Sequence, residues 1–325
     1  MTLSSTLRDR DGAAGLVVGA LTLAALLVMS GGSAARWPWL GFLWLVVVPY
    51  MALLLPDAQE RMRGAVAARP ALAGWIAAGL AAYGAAVGIA GGTGAWYNAL
   101  LWPACIAIAM AGVRGEGDAE PSAGRILLSA LGVWILAGVW DRALRIRVPG
   151  GTQVGLAYLA AIDLGLFIFL VVRPLKSLDV RVGLRMREIA IALAGVAMIV
   201  AVALPLGLAV GFLQFEPRWI GVLPSAARLF GLILFVGLPE ELLFRGLMQE
   251  AFTRIWTPRV GLLVASVVFG LSHIVKRPWP NWRYALLATL AGLAYGWVYQ
   301  RTRKLSAAAV THGTIDWIWS TFLHS

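Results

Sequence analysis

Apolar runs long enough, or nearly so, to cross a ~30 Å hydrocarbon core recur along the chain. They lie near residues 13–30, 38–55, 71–92, 95–112, 126–140, 154–173, 189–213, 227–250, 261–275, 284–300 and 305–323. Short polar connectors separate them. A bilayer core offers backbone amides no water to bond, so repeated runs of this length predict helices. The expected fold is all-α, a polytopic transmembrane helix bundle of about eleven spans. The first run follows Arg8 and Arg10 and is long for a signal-peptide core, so it reads as an uncleaved span. The third run carries Gly84 and Gly88, and the tenth carries Gly292 and Gly296; that four-residue spacing of small residues suits close helix packing.

The connectors divide the chain. The segment 173–188 holds Arg173, Lys176, Arg181, Arg185 and Arg187 and is the most basic of them. About six spans precede it without a chemical signature. Residues 1–175 therefore read as an accessory N-terminal transmembrane domain and residues 176–325 as the catalytic transmembrane domain. Lys and Arg favour the connectors that share a side with the N-terminus, which predicts that terminus inside.

Polar side chains interrupt three of the later runs. The eighth contains Glu240, Glu241 and Arg245; the ninth contains His273, four residues after Phe269; the eleventh contains His312 and Asp316. Residues four apart share a helix face, so Glu241 lies beside Arg245 and His312 beside Asp316. An ionised side chain at membrane depth costs at least a few kcal/mol unless a partner or a cavity receives it. Counting depth at 1.5 Å per residue brings Glu240, His273, His312 and Asp316 to one level, which predicts a single polar cavity between the eighth, ninth and eleventh runs, open to water on one side, with Arg245 contacting Glu241 or another acid at its edge. Asp163 is a lone acid in the sixth run, for which a structural hydrogen-bonding role is expected.

Composition sharpens this reading. The chain is 60% hydrophobic and 13% charged, with mean hydropathy +0.80, far too apolar for a soluble domain. Its net charge of +11 sits in short loops, as topogenic charge beside anionic lipid does, so nucleic acid is not expected as a partner. Cys105 is the single cysteine, inside an apolar run, which leaves neither a disulfide framework nor a Cys-x-x-Cys metal site. Lysines are only three, Lys176, Lys276 and Lys304. That arginine bias, with abundant Ala and Gly, favours a bacterial source and hence the inner (plasma) membrane.

The three motifs in this order, Glu-Glu-x-x-x-Arg, Phe-x-x-x-His and His-x-x-x-Asp, resemble those of the CAAX protease and bacteriocin-processing family (CPBP, also called Abi). These are intramembrane endopeptidases related to the Ras-converting CAAX endopeptidase. The resemblance covers roughly the last 140 residues. It implies a hydrolase in which Glu240 activates water, His273 assists, His312 and Asp316 position or stabilise the oxyanion, and Glu241 with Arg245 forms a supporting pair. The CAAX enzymes tend to carry Asn where this chain has Asp316, which puts a neutral oxyanion donor in question. No cofactor is expected. A divalent metal such as zinc held by the same residues is the second reading, disfavoured because the chain has no His-Glu-x-x-His motif and no thiolate at the site. A proton-coupled carrier or a non-proteolytic immunity scaffold is the rival class. The expected partners are the lipid bilayer and a membrane-embedded peptide or protein substrate.

Overall fold

A computed structural model describes residues 37–90, 97–113, 120–138, 145–147, 153–276 and 278–324. The first apolar run, 13–30, lies outside them. The chain forms two compact units: Met1–Lys176 with Arg181–Gly183, and Ser177–Val180 with Leu184–Ser325.

The first unit contains α1 (Trp37–Leu53), α2 (Pro56–Ala68), α3 (Ala71–Ala90), α4 (Tyr97–Ala111), α5 (Ala123–Gly138) and α6 (Leu156–Phe167), the last continued by a π-helical turn, Ile168–Val172. A short antiparallel ribbon, β1 (Arg145–Arg147) with β2 (Gln153–Gly155), precedes α6. Helix α2 is a departure from the hydrophobic pattern, which treats 56–70 as a connector. Pro56 opens it and Asp57 sits in its first turn, both favoured at a helix start. Its polar face is put to use: Gln59 donates to the Leu53 carbonyl at 2.8 Å, and Arg63 donates to Leu170 at 2.6 Å. Gly84 faces the Trp102 ring so closely that a Cβ there would clash, which is the packing role expected of a small residue. Asp163 is buried in α6, and among the described residues its Oδ1 finds no hydrogen-bond partner. Cys105 is buried.

The second unit contains α7 (Met186–Ala209), α8 (Val222–Ile255), α9 (Pro258–Ser272), α10 (Trp282–Thr302) and α11 (Leu305–Phe322). A two-residue ladder, β3 (Gln214–Phe215) with β4 (Leu323–His324), ties the α7–α8 connection to the C-terminal end. Local sequence sets the boundaries. Thr257 accepts from the Val260 amide ahead of Pro258 at the start of α9, and Asn281 accepts from the Tyr284 amide at the start of α10, as N-cap side chains do. Helix α8 is continuous but not uniformly α: π-helical turns at Ile233–Gly237 and Leu242–Gln249 flank the α turn Leu238–Glu241. Such π turns inside helices are frequent at functional sites.

Among the described residues, α7 and α8 are the helices long and apolar enough to cross a membrane, with a third span if α2 and the start of α3, bent by 114°, count as one. Eleven spans were expected. The other runs do fold as helices where described, but they are shorter than a span or are interrupted by polar side chains.

Helices α8 and α11 cross with backbones in contact. A Cβ on Gly313 would lie 2.6 Å from the Ile233 nitrogen, and one on Gly237 would lie 2.8 Å from the Ala309 carbonyl oxygen. Gly237 precedes the paired glutamates by one turn and Gly313 follows His312, so this glycine crossing brings the first and third motifs together. Gly313→Ala is expected to destabilise the protein by about 1–3 kcal/mol, the usual cost of overpacking. Thermal unfolding in detergent checks it, and an unchanged midpoint would mean that the crossing tolerates a methyl group.

Candidate active site

Helix α8 presents Glu240 and Glu241 side by side, and they have different surroundings. Glu241 is fully buried; its Oε2 pairs with Arg245 Nε at 3.2 Å, and its Oε1 accepts from His312 Nδ1 at 2.8 Å. Arg245, equally buried, donates through Nη2 to the Gly292 carbonyl at 2.9 Å. Its guanidinium lies 4.8 Å from the Phe269 ring centre and 5.4 Å from that of Tyr295, within cation–π range. One charge is thus compensated by an anion, a carbonyl dipole and two aromatic faces. Glu240 is different. Its side chain remains 24% exposed, and its Oε2 lies 3.7 Å from His312 Nε2.

His312 is the hub. With Nδ1 donating to Glu241, its Nε2 stands 3.7 Å from Glu240 and 3.6 Å from Asp316, whose side chain is 30% exposed. Three carboxylates surround one imidazole. The ring stacks on Tyr295, centroids 4.4 Å apart and planes 12° from parallel, and meets the Phe269 ring at 88° and 5.7 Å.

His273 stands one ring away. It closes α9 as its C-cap residue rather than sitting inside a span, because the chain turns there toward Pro278 and Pro280. Its Nδ1 donates to the Phe269 carbonyl at 2.9 Å and lies 3.1 Å from Ser272 Oγ. A carbonyl can only accept, so in the neutral ring the proton is on Nδ1 and Nε2 keeps its lone pair. Phe269 contacts both imidazoles, His273 at 4.8 Å and His312 at 5.7 Å, and Tyr284 lies 4.8 Å from His273 on another side. The hydrogen bonds of His273 therefore run to its own helix and not to the acids.

A cavity of about 70 Å³ opens beside this cluster. His273, His312, Asp316, Tyr284 and Tyr295 form its polar wall, and Ile199, Leu204, Leu213, Leu287, Ile315 and Trp319 stand among its apolar lining. Two expectations need correction. The cavity lies among α7, α9, α10 and α11 and is not bounded by α8, and Glu240 is not among its lining residues. Arg245 contacts Glu241 as expected but is sealed inside the protein and not at a cavity edge. Both differences follow from the glycine crossing, which presses α8 against α11 and leaves the open volume on the far side of His312.

Tyr295, Tyr284 and Gln249 escaped the sequence reading. Gln249 is one helical step beyond Arg245 and donates to the Gly296 carbonyl at 3.2 Å, so Glu241, Arg245 and Gln249 form a polar line at four-residue spacing that could have been read. Gly292 and Gly296, expected only to let helices approach, also expose the carbonyls that receive Arg245 and Gln249. Nothing in the local sequence marks the two tyrosines.

Among the described residues, no group of three or more His, Cys, Asp or Glu side chains is disposed to hold one metal ion. Glu241 spends its two oxygens on His312 and Arg245.

No curated protein and no solved structure matches the chain. Residues 222–318 match a family model described as Rce1-like, type II CAAX prenyl endopeptidase Rce1-like, a segment that runs from the first residue of α8 nearly to the end of α11 and includes all three motifs. With its apolar helices the chain is an integral membrane protein, and its residues 222–318 are similar to the Rce1-like family of type II CAAX prenyl endopeptidases.

Proposed function

We propose that the protein is an intramembrane endopeptidase that cleaves a hydrophobic or membrane-anchored peptide with water activated by Glu240. The observation that carries this reading is the contrast between adjacent acids: Glu241 is sealed against Arg245 while Glu240 keeps 24% of its side chain exposed and stands 3.7 Å from His312. A general base must reach water and the reacting carbonyl, whereas an acid committed to a buried ion pair cannot move a proton freely. In this scheme Glu240 takes a proton from water as it attacks the scissile carbonyl. His273, through its bare Nε2, orients that water. His312 stabilises the developing oxyanion from the Nε2 side, held by Glu241 at Nδ1, and Asp316 steadies the charge on the ring. Collapse of the tetrahedral intermediate returns the proton to the leaving amine.

The reading needs no metal. Purified protein in nanodiscs is expected to cleave a hydrophobic quenched-fluorescence peptide at an unchanged rate after dialysis against a strong chelator. Activity lost on chelation and restored by stoichiometric zinc would replace the glutamate scheme with a metal-dependent one. Multiple spans, a bacterial inner membrane and an accessory role for the N-terminal unit complete the proposal. They rest on the hydropathy pattern, the arginine-rich composition and the confinement of all three motifs to the second unit.

A further inference from the structure

The geometry points to Tyr295 as a positioning residue that fixes the plane of the His312 imidazole, an inference that rests on the protease reading for its catalytic consequence but not for its structural content. The torsion that turns a histidine ring is intrinsically soft, with a broad and roughly two-fold profile. His312 nevertheless serves two directions at once, Nδ1 toward Glu241 and Nε2 toward the gap between Glu240 and Asp316. A half-turn about that torsion would put carbon atoms where both nitrogens now stand. To make it, the ring must pass through an orientation that sweeps space on both of its faces. Tyr295 denies that space on one face, stacked at 4.4 Å and 12°, and the Phe269 ring stands perpendicular to the imidazole at 5.7 Å.

Tyr295 is itself held. It is 2% exposed, the Arg245 guanidinium lies 5.4 Å from its ring centre, and Phe269 meets it edge-on at 6.1 Å. It therefore links the ion pair of α8 to the imidazole of α11 from a third helix. What acts is the flat face; no hydrogen bond of the hydroxyl enters the argument. Tyr295→Phe keeps the face and removes the hydroxyl, while Tyr295→Met keeps much of the bulk and removes the face.

Two measurements on the full chain in nanodiscs test this. The first is cleavage of the hydrophobic quenched-fluorescence peptide. Tyr295→Phe is expected to stay within about threefold of wild type, and Tyr295→Met to lose about 10- to 100-fold in kcat with little change in KM, the scale on which small misplacements of a reacting group act. The second is the 15N spectrum of histidine-labelled protein, tractable because the chain has three histidines, with the His312 signals assigned by their absence in His312→Gln. One sharp Nδ1–H signal is expected in wild type and Tyr295→Phe, and a broadened or doubled signal in Tyr295→Met. An unchanged His312 signal in Tyr295→Met overturns the inference, as does a Tyr295→Phe variant that loses activity or signal, a test that stands even if the Met variant does not fold. If wild type cleaves no peptide, the protease reading fails while the spectra still decide the role of Tyr295.

Discussion

Glu240→Gln is expected to lower turnover by about 10²- to 10⁴-fold, the range associated with a positioned general base, while the protein accumulates and unfolds as wild type does. The amide keeps the size of the side chain but accepts no proton. Because Glu240 is partly exposed and touches His312 only at 3.7 Å, losing its charge leaves no buried cation without a partner. Glu241→Gln differs: it weakens the contact to His312 and leaves Arg245 buried with no anion, so it should reduce the yield of folded protein as well as the rate. Turnover of the quenched-fluorescence peptide, set beside a thermal unfolding scan of each variant, separates the two. Cleavage by purified Glu240→Gln at the wild-type rate would remove Glu240 from the chemistry.

Arg245→Met should destabilise the second unit by about 3–5 kcal/mol, the usual result of removing one partner of a buried ion pair. The cost arises from what remains: a Glu241 carboxylate at 0% exposure with its cation gone, and a Gly292 carbonyl without its donor. Pairing the change with Glu241→Gln should recover part of the loss, since the uncompensated charge then disappears. Unfolding midpoints for the two single variants and the double variant form the cycle. Additive losses would show that the two side chains contribute independently and that the pair is not the unit of stability.

The sequence made the helices legible because apolar runs and caps are local signals. The runs at 189–213, 227–250, 261–275, 284–300 and 305–323 correspond to α7 through α11, with ends shifted where Arg185, Asn281 or Thr257 sets the start. Helix α2 was missed because a helix that satisfies Gln59 and Arg63 through side-chain bonds carries no apolar stripe to read. At the site, the i, i+4 spacing correctly paired Glu241 with Arg245 and set Asp316 beside His312. Depth counting placed the motifs at one level but could not choose between the two sides of His312. That choice is made by Gly237 and Gly313, whose missing side chains decide which helix pair closes and which leaves a void. Tyr295 and Tyr284 act through ring contacts between separate helices, which no local spacing records.

Helix α8 engages α10 at two points with the same step on both sides, Arg245 on Gly292 and Gln249 on Gly296. The pair works like two teeth in a rack. Sliding α8 along α10 by one four-residue step, about 6 Å, would set Arg245 opposite Gly296, but any smaller slide strips both donors of their acceptors in a dry interior, where an unpaired polar group is costly. Axial travel of the helix that carries both glutamates is therefore not a route by which the cavity widens. The glycine crossing rules out closer approach of α8 to α11, since there backbone already rests on backbone. Helix α7 meets the cavity through Ile199, Val200, Ala203 and Leu204, and it too is registered on its neighbours, by the Thr311 hydroxyl donating to the Ala192 carbonyl at 3.1 Å and by Lys304 pairing with Glu188 at 3.2 Å. The chamber therefore changes shape through the side chains that line it and not through travel of the helices that carry the acids.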